Sequence, residues 1–191
     1  MAKLIYTAMA SLDGYINDSD GNFDWAMPDD EVHAFANDLE QGVGTHLYGR
    51  RLYETMKVWE EFYGRSDLIK VVRDYADVWH QIDKVVYSRT LSETATSRTR
   101  IEREFDPVAV RAMKDAAQHN ISVGGANLGG QALAAGLVDE IHLLVFPVLV
   151  GGGTRALPHL PSTPLELLDQ RKFGNGVVHL HYSVENLPAG A

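Results

Sequence analysis

Residues 121–155 read ISVGGANLGGQALAAGLVDEIHLLVFPVLVGGGTR, and the order of residue types in this stretch sets the fold class. A short apolar strand, 121–123, runs straight into Gly124-Gly125 and then into a small-residue helix over 128–135, with Gly136 suited to its C-terminus. Backbone without a Cβ at a strand-to-helix junction can approach a ligand closely, and the free N–H groups of a helix start favour an anion. The same two glycines also suit a tight turn that lets a helix pack on a sheet. Residues 141–150, IHLLVFPVLV, are almost wholly apolar, as in a strand covered on both faces. Two better-known phosphate motifs do not fit. Gly124 and Gly129 lead to Gly130 and Gln131, with no lysine, so the P-loop pattern fails. The G-x-G-x-x-G spacing is absent too, and residues 143–145 are apolar where its acidic partner belongs.

Upstream, the junction recurs. A strand over 45–48 is closed by Gly49 and continues as a helix from Arg50 and Arg51 to Met56. Arginine at a helix start opposes the macrodipole unless an anion binds there; two solvated arginines are the plainer alternative. A strand over 84–87 ends in Ser88-Arg89-Thr90, a third polar, basic strand end. Residues 3–10 form an apolar strand that passes into 11–25, an irregular, mobile loop rich in Asp, Asn, Gly and Ser. The calcium-loop spacing is only partly met there, with no glutamate to complete it. Pro28 is expected to start a helix whose first turn carries Asp29, Asp30 and Glu31, with Val32, Phe35, Ala36 and Leu39 on its apolar face.

The remaining elements follow from periodicity and caps. A helix is expected over 68–79, a strand over 101–105, and a helix opened by Asp106-Pro107 and running to about Gln118. Residues 163–172 and 177–184 form a terminal strand pair around Gly174-Asn175-Gly176. In its second strand His179 and His181 alternate with apolar residues and are expected to face outward, since no local spacing supplies a third metal ligand. The element order implies one domain over 1–191 of α/β class. It is a three-layer arrangement with a mainly parallel mixed sheet, helices on both faces and an antiparallel C-terminal hairpin.

Composition narrows the function. With 45% hydrophobic residues in 191 the chain can bury a substantial core, and it lacks cysteine, which excludes disulfides, thiol nucleophiles and cysteine metal sites. The net charge is -9, and the first sixty residues hold four Lys and Arg against eleven Asp and Glu. Nucleic acid and anionic membrane are therefore poor main partners, while a local basic pocket stays open. The N-terminus is too quickly acidic for a signal peptide, no apolar run reaches membrane-spanning length, and a cytoplasmic protein is expected.

SLDG at 11–14, YGRRLYE at 48–54, VVYSRTL at 85–91, VGGANLGGQAL at 123–133 and GLVDEIHLLVFPVLVGGGTR at 136–155 occur in an order and spacing that resemble the dihydrofolate reductase fold. Over about residues 3–185 the chain looks most similar to stand-alone relatives of the C-terminal reductase domain of riboflavin-biosynthesis deaminase/reductases. The resemblance implies an NADPH site. Gly49, Arg50 and Arg51 would face the adenosine phosphates, and Ser88 and Arg89 the 2′-phosphate. Gly124, Gly125, Ala126, Asn127 and Leu128 would offer backbone N–H groups to the pyrophosphate. Ala8 and Ile16 would touch the nicotinamide beneath a mobile 11–25 loop. On the substrate side it implies a proton-delivering acid in the first helix, for which Asp30 fits the spacing; helix-start stabilisation alone also explains the three acids. The Gly151-Gly152-Gly153 turn suits either a cleft loop or an ordinary strand end.

An NADPH-dependent reductase of a small pterin- or pyrimidine-like heterocycle, or a related carbonyl or imine, is thus the expected function. The alternative is a non-catalytic nucleotide- or metabolite-binding protein on the same scaffold. Dihydrofolate reductase itself fits less well, because Leu52 replaces the threonine of that family's G-R-x-T pattern. A homodimer that extends or packs the sheet through 141–150 is the expected assembly.

Overall fold

A computed structural model describes residues 1–160 and 162–185. Strand β1 (Leu4–Ser11) is followed by a short β2 (Tyr15–Asn17), a single 3-10 turn at Asp24–Ala26 and helix α1 (Asp30–Glu40). Next come β3 (Val43–Gly49), α2 (Arg50–Met56), α3 (Val58–Phe62), α4 (Lys70–Gln81), β4 (Asp83–Tyr87) and β5 (Thr99–Glu102). The chain continues through α5 (Pro107–Ala116), β6 (Asn120–Gly124), α6 (Ala126–Ala134), β7 (Glu140–Phe146) and β8 (Thr154–Arg155), and then the hairpin of β9 (Leu165–Lys172) and β10 (Val178–Val184). Eight strands form one sheet in the order β5-β4-β3-β6-β1-β7-β10-β9, and β2 pairs with β8 separately. From β5 to β7 all pairs are parallel; β10 and β9 are antiparallel. The expected α/β architecture is present.

Period-2 alternation divides the core. Leu4, Tyr6, Ala8, Leu47, Val85, Ile121, Val123 and Ile141 face α5 and α6, where Val110, Leu128, Ala132 and Leu137 meet them. On the opposite face Tyr48 and Val86 pack under Tyr53 of α2 and Tyr75 and Trp79 of α4. Beside them Leu144, Phe146, Phe173 and Val177 pack under Val32, Phe35 and Leu39 of α1. Full burial of such a side chain contributes roughly 1.5–3 kcal/mol relative to exposure, so the wholly buried Trp79, with its indole N–H donated to Tyr48 Oη, anchors α4.

Several boundaries and environments differ from expectation, each for a local reason. Strand β7 ends at Phe146, four residues early, because Pro147 has no N–H for a ladder. It also lies between β1 and β10, so it is not free to extend a sheet into a second copy. Helix α1 starts after Asp29, whose carboxylate accepts Val32 N–H at 2.9 Å; the cap is thus Asp29 and Pro28 stays outside. The 11–25 segment is not wholly irregular, since Tyr15 and Asn17 pair with Arg155 and Thr154. Strand β5 closes at Glu102, short of Phe105, which stacks edge-on against Tyr87. His179 does not face outward: it is 1% exposed, its ring 4.7 Å from that of Phe35, because β9 lies outside β10 and α1 covers that face.

Candidate functional site

The three polar strand ends lie on neighbouring strands. Register places Gly49 of β3 beside Tyr87 of β4, and Tyr48 of β3 beside Gly124 of β6. Parallel pairing therefore brings Gly49-Arg50-Arg51, Ser88-Arg89 and Gly124-Gly125 to one rim. Gly125 has φ +88 and is the N-cap of α6 with no side chain to cap it. A Cβ there would be strained, and Gly129 N–H to Gly125 O is the bond that closes the first turn. The preceding N–H groups of Ala126, Asn127 and Leu128 thus point outward from a helix start, the geometry that accepts an oxyanion. Gly124 has another task. A Cβ on it would lie 2.4 Å from Leu52 Cδ2, so its smallness also lets α2 sit against β6.

The cations at this rim are lightly held. Arg50 Nη1 donates to Thr90 Oγ1 at 2.5 Å and Arg50 Nε lies 4.0 Å from the exposed Glu54, while Arg51 is exposed with no carboxylate partner among the described residues. Arg89 is 79% exposed and, among the described residues, pairs only with Glu104, at 3.2 Å and itself exposed. Ser88 is buried, and its hydroxyl accepts the N–H groups of Thr90 and Leu91, so it shapes the 88–91 turn. Arg103, which sequence reasoning passed over, donates to the carbonyls of Ser88 and Leu91 and braces the same turn. Nothing in its local sequence marks it. Ala8 is buried in β1 beside Leu143, and the half-buried Ile16 of β2 packs on the same core cluster as Ala8 and Leu128.

A second missed residue is Asp13 of the SLDG loop. Its carboxylate accepts Gly151 N–H at 2.8 Å and Val150 N–H at 3.2 Å, and Ser11 Oγ donates to it at 2.7 Å. The Ser11 hydroxyl and these amides hold its pKa below the usual carboxylate range, so it stays ionised. Around it Leu12 N–H reaches Val148 O, Ala156 N–H reaches Gly14 O, and Thr154 N–H reaches Asn17 Oδ1. The Arg155 guanidinium lies 5.3 Å from the centre of the Tyr15 ring. The Gly151-Gly152-Gly153 turn is therefore the receptor for the 11–17 loop, and the two segments form one clamped flap beside β1.

The three acids of α1 have separate positions. Asp29 caps the helix, and Glu31 accepts from Arg171 Nη2 and from Gly174 N–H in the β9–β10 turn. Asp30 is exposed, pairs with no cation among the described residues, and lines a groove of about 520 Å³ between α1 and α4 with Ala34, Asn37 and Val71. That groove is not lined by the glycine turn of β6. No helix among the described residues is long and apolar enough to cross a membrane.

Comparison with known proteins bears on the fold and the family. The uncharacterized Bacillus subtilis (strain 168) protein YyaP is 26% identical over 181 residues, covering 94% of each chain. A solved structure from Shewanella sp. PV-4, named for riboflavin biosynthesis, superposes with a TM-score of 0.75 at 19% identity, covering 96% of this chain and 99% of that one. A pyrimidine reductase-like protein from Corynebacterium diphtheriae gives a TM-score of 0.66 at 16% identity over 96% and 92% of the two chains. These likenesses establish the dihydrofolate reductase-like fold. Residues 2–179 match the model of the RibD C-terminal domain, and the chain belongs to that family.

Proposed function

We propose that the chain is an NADPH-dependent reductase of a small pterin- or pyrimidine-like heterocycle, or of a related carbonyl or imine. The observation that carries this is the joining of an uncapped helix start with three loosely held arginines at one rim of a chain whose net charge is -9. Bound there, the dinucleotide would supply a hydride from its nicotinamide. Arg50 and Arg51 hold the adenosine phosphates, and the amides of residues 126–128 at Gly124-Gly125 take the pyrophosphate. Arg89 swings from Glu104 to the 2′-phosphate, on a turn that Ser88 shapes. Ala8 and Ile16 give the nicotinamide ring a flat apolar seat, and the clamped 11–17 flap excludes water. The name of the Corynebacterium diphtheriae relative and the family itself favour a pyrimidine-like acceptor. The test is oxidation of NADPH with a panel of pterins and pyrimidines. Turnover of any member supports the proposal, and absence of NADPH binding at millimolar concentration removes it.

Asp30, or a water it orients, would protonate the acceptor nitrogen next to the reduced carbon. Asp30→Asn is then expected to lower kcat roughly tenfold or more while leaving cofactor affinity unchanged. Unaltered turnover would return Asp30 to helix-start stabilisation.

The proposed homodimer forms through β9 rather than β7. All eight residues of this edge strand are exposed, including Leu165, Leu167 and Leu168, and an edge presents unpaired N–H and C=O groups. Light scattering at micromolar concentration should give twice the 21.1 kDa chain mass, and Leu167→Lys should halve it. A wild type at the single-chain mass sinks the dimer.

A further inference from the structure

Strand β10 sets His181 directly opposite His142 of β7, with His179 two residues before it on the same face. The His142 and His181 rings stack at 4.0 Å and 18°. Glu140, two residues before His142, brings Oε2 to 3.2 Å from His181 Nε2, yet that nitrogen has no aligned hydrogen bond. Donor atoms of Glu140, His142 and His181 all lie within 4.8 Å of one another. We propose that these three side chains form a binding site for a divalent transition-metal ion of the zinc type, joining β7 to β10.

The donor set selects the ion class. Two imidazoles and one carboxylate suit zinc and its neighbours, whereas calcium and magnesium prefer oxygen alone. Zinc bonds of about 2.0–2.2 Å in tetrahedral geometry put ligand atoms about 3.4 Å apart, close to the separation already present between His181 and Glu140. Three protein ligands leave a fourth position for water.

The surroundings supply the outer contacts such a site needs. His142 Nδ1 lies 2.9 Å from His179 Nε2, which occupies one imidazole nitrogen and leaves Nε2 of His142 for the ion. Lys3 pairs with the other side of the Glu140 carboxylate, and it is 52% exposed, so it can swing into solvent as the ion enters. Glu140 and His142 alternate with Ile141 and Leu143 and so face the α1 side of the sheet, whereas Ala8, paired with Leu143, faces α5 and α6. The ion therefore sits on the sheet face opposite the proposed nicotinamide seat and braces β7 against β10.

Titration of the intact protein with Co(II) and Zn(II) chlorides tests this. Wild type should show one saturable equivalent with visible Co(II) ligand-field absorption, and excess Zn(II) should raise the melting temperature by several degrees. Glu140→Gln and His181→Gln should each weaken the site at least about tenfold, with far-UV circular dichroism checking the fold, while His119→Gln, an exposed histidine, should change nothing. Lys3→Ala keeps every ligand and removes the competing ammonium, so it should bind Zn(II) more tightly than wild type. An ordinary Lys3–Glu140 ion pair without a metal site predicts no Zn(II) effect in Lys3→Ala. No single-equivalent binding by wild type at about 100 μM, or equal binding by wild type and the Glu140 and His181 variants, overturns the proposal.

Discussion

Gly153→Ala is expected to tear the flap from its receptor and to lower stability by roughly 2–4 kcal/mol, which for a chain of this size is a fall in melting temperature of roughly 5–15 °C. Two costs add. The backbone at Gly153 has φ +123, a conformation L side chains rarely adopt. The new Cβ would also sit on the Asn17 carbonyl oxygen and 2.7 Å from the Asp18 carbonyl carbon and oxygen. Those atoms are backbone and cannot rotate away. They can retreat only by breaking the β2–β8 pairing and the Thr154 N–H bond to Asn17 Oδ1. Asn17→Ala, which removes that one bond and adds no clash, should cost only about 1 kcal/mol. Amide hydrogen exchange separates local from global loss. In Gly153→Ala the amides of Gly151, Thr154 and Ala156 should exchange fast while those of β1 and β6 remain protected. Wild-type melting and protection in this variant would mean the 11–17 and 147–156 segments are not clamped as described.

What was legible in the sequence was local. Glycine or serine after a short apolar run marks a strand end, followed by arginine in two cases and by a second glycine in the third; the three share one rim because their strands are neighbours and parallel. The individual tasks were not legible. Gly124 and Gly125 look alike in sequence, yet one accommodates Leu52 and the other sets a positive φ at the start of α6. Asp13 meets Gly151 across 138 residues, and no local spacing records that contact. The alternation in β10 reads as outward histidines for a strand with one open face. Here β9 lies beyond it, α1 covers it, and His142, the partner of His179, is 37 residues earlier. The acids of α1 look equivalent as a run, but Asp29 caps the helix, Glu31 pairs with Arg171, and Asp30 is exposed with no cation partner among the described residues.

NADPH is expected to bind clearly more tightly than NADH, and Arg89→Ala to remove most of that difference. The two dinucleotides differ only in the 2′-phosphate, so the comparison isolates whatever cation meets it. Arg89 can serve because its present partner holds it weakly: exposed ion pairs such as Arg89–Glu104 contribute about 0–1 kcal/mol. A charge-assisted bond from a guanidinium to a phosphate contributes roughly 1.5–3 kcal/mol, which decides the competition. Removing it should weaken NADPH about ten- to a hundredfold and leave NADH nearly unchanged. Loss of fold would weaken both together, and a merely solvated arginine would alter neither. The measurement is a titration of both dinucleotides by calorimetry, or by quenching of Trp25, on wild type and variant. Equal weakening of both would keep the strand-end rim and take Arg89 out of it. The exposed Arg51 and the turn-bracing Arg103 would then be the cations left to meet the 2′-phosphate.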